Sequence, residues 1–97
     1  MSENFVLRPR AIRDLEDIWA YTSINFGQRQ AENYISQLRE ACNLLSKNKD
    51  IGRSCDQIRM GYRKYSVGSH VVFYRKIGDG IEIVRFLHER MDVNQNL

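Results

Sequence analysis

The residues best equipped for chemistry lie near the end of the chain, where His88, Glu89 and Arg90 follow an apolar alternation and Arg85 stands three positions before the histidine. An imidazole beside a carboxylate and two guanidiniums could work as an acid–base pair or hold a phosphate. The cluster is equally well explained as a structural hydrogen-bonding group. No Ser/His/Asp set, paired-carboxylate motif, phosphate-binding Gly loop or zinc-ligand spacing accompanies it. His70 follows Gly68-Ser69 and reads as a solvent-facing strand residue. Arg63-Lys64 and Arg75-Lys76 alternate with tyrosines and Phe73, which suits phosphate contact and base stacking. They come without the signature of an RNA-recognition sheet, a helix-turn-helix or a zinc finger, and read equally as solvated strand residues. Cys42 lies on an apolar helical stripe and Cys55 in a polar loop, so two free thiols and no metal are expected.

The stretch from Arg59 to Asp92 must position these residues. It reads as three strands joined by Gly68-Ser69 and Gly78-Asp79-Gly80 turns. A two-residue first turn sets Val67 opposite His70, Tyr65 opposite Val72 and Arg63 opposite Tyr74. A three-residue second turn sets Tyr74 opposite Val84 and Val72 opposite Phe86. One face then gathers Tyr65, Val67, Val72, Tyr74, Val84 and Phe86 for the core. The other gathers Tyr62, Lys64, Ser66, Val71, Phe73, Arg75, Ile83, Arg85 and Leu87. Two helices on the first face cannot cover the second, which is expected to be an open basic and apolar surface for a partner. The alternative is that the tail from Met91 to Leu97 folds back over part of it.

The helical cover precedes the sheet. Phe5 and Leu7 suggest a short first strand over Asn4 to Leu7. Pro9 suits a helix start, and Asp14, Glu16 and Asp17 suit the positive end of its dipole. Leu15, Ile18, Trp19 and Thr22 recur at helical spacing, predicting a helix from Pro9 to Asn25 with Trp19 as a core anchor and Gly27 as its stop. Ala31, Tyr34, Ile35, Leu38, Ala41, Cys42 and Leu45 predict a second helix. The two should pair as an antiparallel hairpin, with Trp19 and Leu38 near the seam. Lys47 to Gln57 reads as a surface loop. The fold class is α+β, in the order β-α-α-β-β-β, with the hairpin on one face of a small, mostly antiparallel sheet.

Ninety-seven residues with 42% hydrophobic content suit one domain over residues 1–97. A net charge of +3 favours acidic partners without requiring nucleic acid. No window approaches the roughly 18 apolar residues of a membrane span. The first ten residues lack the apolar core of a signal peptide, so a cytoplasmic protein is expected.

The segments GYRKYSVGSHVVFYR, IEIVRFLHERMD, RAIRDLEDIWAYTSINFG and QAENYISQL together resemble ParE, the toxin of ParDE toxin–antitoxin systems within the RelE/ParE superfamily. The resemblance covers nearly the whole chain. It implies a bacterial stability toxin that poisons DNA gyrase, is neutralised by a ParD-type antitoxin and needs no cofactor. Neither sequence-specific nucleic-acid binding nor membrane association is implied. The superfamily also includes RelE-like nucleases that cut messenger RNA on the ribosome. In those the strand corresponding to HVVFY carries an arginine where Val71 stands here, and a tyrosine or histidine near the chain end assists the attack. An aliphatic side chain cannot stabilise a phosphoryl charge, so a non-enzymatic toxin is the expectation. An RNA endonuclease using Arg85, His88 and Arg90 is the alternative, and a degenerate member that only binds its antitoxin is a third. Antitoxin contacts are expected at Lys64, Val71, Phe73, Arg75, Ile83, Arg85 and Leu87, and gyrase contacts at Arg59, His88, Arg90 and Met91, with Arg85 also near that end.

Overall fold

The computed structural model describes residues 4–97. A short strand β1 (Phe5–Leu7) leads into α1 (Pro9–Phe26) and α2 (Gln28–Lys47). Pro9 opens α1 in its first turn, where a missing N–H costs nothing. Gly27 alone separates the helices, with φ 93° and ψ 159°. Its N–H donates to the Ser23 carbonyl and its own carbonyl accepts the Ala31 N–H, so one residue ends the first helix and starts the second.

The sheet adds β2 (Arg53–Ser54), β3 (Tyr62–Val67), β4 (His70–Ile77) and β5 (Gly80–His88). Its order is β1-β5-β4-β3-β2, with β1 parallel to β5 and every other pair antiparallel. The architecture is the expected α+β one, with two additions. The segment read as a plain loop contains β2, and a single helical turn, α3 (Val93–Asn96), follows β5.

The Gly68-Ser69 turn gives the anticipated register of Val67 with His70, Tyr65 with Val72 and Arg63 with Tyr74. The second turn is one residue shorter than expected, because Ile77 pairs with Gly80. A Cβ at Gly80 would collide with the Asn4 carbonyl, which instead accepts the Ile81 N–H. A bulge then restores the register: Tyr74 lies opposite Ile83 and Phe73 opposite Arg85, leaving Val84 as the extra residue. Ile83 therefore packs with the helix-side core and Val84 with the opposite cluster, the reverse of the expected assignment.

The helix-side core joins Ala11, Ile18, Leu38, Cys42 and Leu45 to Val72, Tyr74, Ile81, Ile83 and Phe86. Tyr74 is fully buried, and its hydroxyl donates to the Lys49 carbonyl and accepts the Gly52 N–H, tying the loop after α2 to the sheet. Trp19 is only half-buried and lies outside both clusters. The second cluster, on the outer face, overturns the expectation of an open surface. Cys55, Tyr62, Phe73, Val84 and Leu87 are buried there beneath Ile58, Val93 and Leu97. Cys55 is thus a core residue despite its polar neighbours in sequence, and burial pushes its thiol pKa up. The loop before β3 and the C-terminal turn supply the cover that the two helices cannot. Each large side chain so enclosed gains on the order of 1.5–3 kcal/mol.

Candidate functional site

The end of β5 is where the candidate residues gather, and a pair unforeseen in the sequence fixes it. β1 covers only Ile81, Glu82 and Ile83 of β5, and beyond Ile83 the strand edge faces α1. Asp14 serves that edge: its carboxylate accepts the Phe86 N–H at 3.0 Å, Arg85 Nε at 2.7 Å and Arg85 Nη2 at 2.9 Å. Both side chains are about nine-tenths buried, at 10% and 9% exposure for Arg85 and Asp14. Arg85 Nη1 also donates to the Asn96 carbonyl at 2.6 Å, so the same guanidinium holds the C-terminal turn. The helix-dipole reading of Asp14 missed this role. The signal was its place on the buried stripe of Ala11, Ile18 and Thr22, where an acid needs a partner.

Beside this lock, a cleft of about 670 Å³ opens between the Gly27 end of the helix hairpin and the end of the sheet. α1 lines it with Asp17, Ile18, Tyr21, Thr22 and Phe26, α2 with Gln30 and Tyr34, and the sheet end with Ser69, His70, His88 and Met91. His70 and His88 are cross-strand partners with their rings edge to face at 5.3 Å between centroids. The Tyr34 hydroxyl lies 2.6 Å from His70 Nδ1 and accepts the Ser69 N–H, which ties α2 to the β3–β4 turn. Gly68 suits this approach, because a Cβ there would press on the Tyr34 ring and its φ is 56°.

The electrostatics favour the neutral form of His70 on the floor of the cleft. Burial lowers the pKa of His70, and His88 beside it adds to the effect, against the opposing influence of Asp14 and Glu89. Burial likewise raises the Tyr34 phenol. His88 Nδ1 accepts the Arg90 N–H at 3.2 Å. His70 is therefore a half-buried cleft residue rather than a solvent-facing one. Among the described residues no group of three His, Cys, Asp or Glu could hold a metal ion.

The residues singled out in the sequence divide among three places. His88 and Met91 meet in the cleft, with Arg90 exposed beside them. Arg85 is held by Asp14 and by the Asn96 carbonyl, which commits its guanidinium to a buried pair. Arg59 lies on the outer face, 5.8 Å over the Tyr62 ring, and donates to the Leu97 carbonyl. Of the expected partner-binding face, Phe73 and Leu87 are 1% exposed and Val71 is half-buried beside them. Ile83 is fully buried on the helix side. Lys64 is half-exposed opposite Arg53, and Arg75 pairs with Glu82 at 2.7 Å. The hydrogen bond from Arg75, with Arg8 also near, holds the Glu82 carboxyl below its usual range.

With this geometry in hand, the chain can be set beside known proteins. It is 50% identical over 98 residues to Toxin ParE1 of Mycobacterium tuberculosis, with 100% of both chains covered. It is 38% identical over 91 residues to Toxin ParE1 of Caulobacter vibrioides, with 94% of each covered. In fold it resembles a solved chain described as the chromosomal ParDE TA system from P. aeruginosa, with a TM-score of 0.77 and 20% identity over 89% of this chain and 95% of that one. No helix among the described residues is long and apolar enough to cross a membrane. Residues 5–93 match the family model described as the ParE toxin of the type II toxin–antitoxin system parDE, and the chain belongs to that family.

Proposed function

We propose that this chain is the toxin of a ParDE pair, binding DNA gyrase in the cytoplasm so that cleaved DNA persists, and that a ParD-type antitoxin neutralises it. The observation that carries the reading is the ParE toxin match across residues 5–93. Action by binding rather than catalysis is supported by Val71, which is aliphatic where the resemblance to RelE-like nucleases calls for an arginine. Loss of one such electrostatic contact costs about 100-fold or more in rate. The engagement of Arg85 by Asp14 supports it further, because this guanidinium is already committed to a buried pair.

We put the gyrase contact at the sheet end, on His88, Arg90 and Met91. An antitoxin that reaches Val71, Phe73 and Leu87 would have to replace the C-terminal turn that now covers them. Purified chain added to gyrase and supercoiled plasmid is expected to stabilise cleavage complexes, and a cognate ParD-type protein to reverse this. Inert gyrase assays combined with messenger cleavage in translating ribosomes would replace this reading with the nuclease one.

A further inference from the structure

We propose that the cleft at the Gly27 end of the helix hairpin is a socket for an arginine side chain carried by a protein partner. Among the residues that line it, Asp17 alone carries a formal charge, in a chain whose net charge is +3. Asp17 is exposed and makes no ion pair among the described residues. Tyr21, one helical turn further along α1 and 64% exposed, neighbours it, with Tyr34 deeper in the wall and Phe26, 67% exposed, towards the far end of the cleft. A carboxylate set among aromatic faces is the chemistry that receives a cation. Arginine fits better than lysine, because its flat guanidinium stacks on a ring while its N–H fork reaches a carboxylate and neutral oxygens such as those of Gln30 and Ser69.

The floor is consistent with this occupant. His70 is kept neutral by burial and by His88 next to it, so this imidazole does not repel an incoming cation near neutral pH. Asp14, the other acid close to the floor, is already neutralised by Arg85 and does not compete with Asp17. The volume of about 670 Å³ exceeds what one side chain needs, leaving room for an aliphatic neighbour of the arginine against Ile18 and Met91. An acidic peptide is disfavoured, since Asp17 would face it directly. The inference concerns the cleft alone and stands whether or not gyrase is the target.

The test uses the whole chain and the peptide acetyl-Leu-Arg-Leu-amide, followed by NMR of the His70 and His88 ring protons. The citrulline peptide keeps the shape without the charge, and the glutamate peptide reverses it. The arginine peptide is expected to bind about five- to tenfold more tightly than the citrulline one, and Asp17→Asn to remove that advantage. Tyr21→Ala should weaken binding about fivefold. Both substituted positions are exposed, so unchanged melting curves should accompany these losses. Binding should also weaken as pH falls from 7.5 through the lowered pKa of His70, which takes up its proton among Asp14, Asp17, Tyr34, His88, Glu89 and Arg90. Equal binding of arginine and citrulline peptides, indifference to Asp17→Asn, or tighter binding of the glutamate peptide would overturn the proposal. So would self-association in sedimentation that Asp17→Asn abolishes, because a second copy would then be the occupant.

Discussion

Replacing Asp14 with Ala leaves the Arg85 guanidinium charged, about nine-tenths buried and facing only the Asn96 carbonyl. It also strips the Phe86 N–H of its acceptor on the edge of β5 that lies beyond the reach of β1. Breaking a buried pair from one side costs about 3–5 kcal/mol, because the remaining charge keeps its desolvation penalty. A domain of this size has a stability on the order of 5–15 kcal/mol. Asp14→Ala should therefore lower the melting temperature by roughly 12–40 °C, at about 4–8 °C per kcal/mol. Arg85→Met should be damaging for the mirrored reason, since Asp14 keeps the Phe86 N–H but loses its counter-charge. The double variant should cost less than the sum of the two, with a coupling of at least about 2 kcal/mol. Urea denaturation followed by circular dichroism reads all three, with slopes unchanged if the denatured state is unaffected. An Asp14→Ala cost below about 1 kcal/mol, or strictly additive single costs, would refute the claim that this pair fastens α1 to the sheet.

Two further outcomes follow from the same framework. The pKa of His70 is lower in the folded chain than its ordinary value, so the unfolded chain binds more protons as the imidazole titrates. This stability is complete above the unfolded pKa of about 6.5 and is lost as pH falls through the lower folded value. Urea midpoints should thus decline between pH 7.5 and 5.0, and a slope no shallower in His70→Gln would show that another group is responsible. Ending the chain at Asp92 removes Val93 and Leu97 from the outer-face cluster together with the carbonyls held by Arg85 and Arg59. The shortened chain should lose about 1–3 kcal/mol and bind an apolar dye that the full chain does not. No gain in dye fluorescence would mean that the C-terminal turn is not what closes that face.

Much of the fold was legible because it rests on local chemistry. Pro9 and Gly27 mark the ends of α1 through constraints on φ that act within one or two residues, and the apolar spacing from Ala31 to Leu45 declares α2 on its own. The Gly68-Ser69 turn fixed the β3–β4 register for the same reason. The β4–β5 register was only half legible. A shorter turn and a bulge at Val84 cancel one another, so Val72 still meets Phe86 while Ile83 and Val84 exchange faces. Nothing in the alternation of residues 81–87 announces where an extra residue will be placed.

The sequence by itself determined the types of β1, α1, α2, β3, β4 and β5, the helix hairpin, the β3–β4 register and the presence of a polar cluster at His88–Arg90, because each depends on residues close together along the chain. It also carried the ParE resemblance, borne out by the match over residues 5–93. Only the tertiary structure decided what those side chains face. Asp14 meets Arg85 across 71 positions, and Tyr34 meets His70 across 36. Leu97 returns to cover the face that binary patterning left open. An unpaired charge and an uncovered apolar face are both costly, but the sequence states only that each needs a partner. Which partner it finds is set by how the hairpin and the tail close on the sheet.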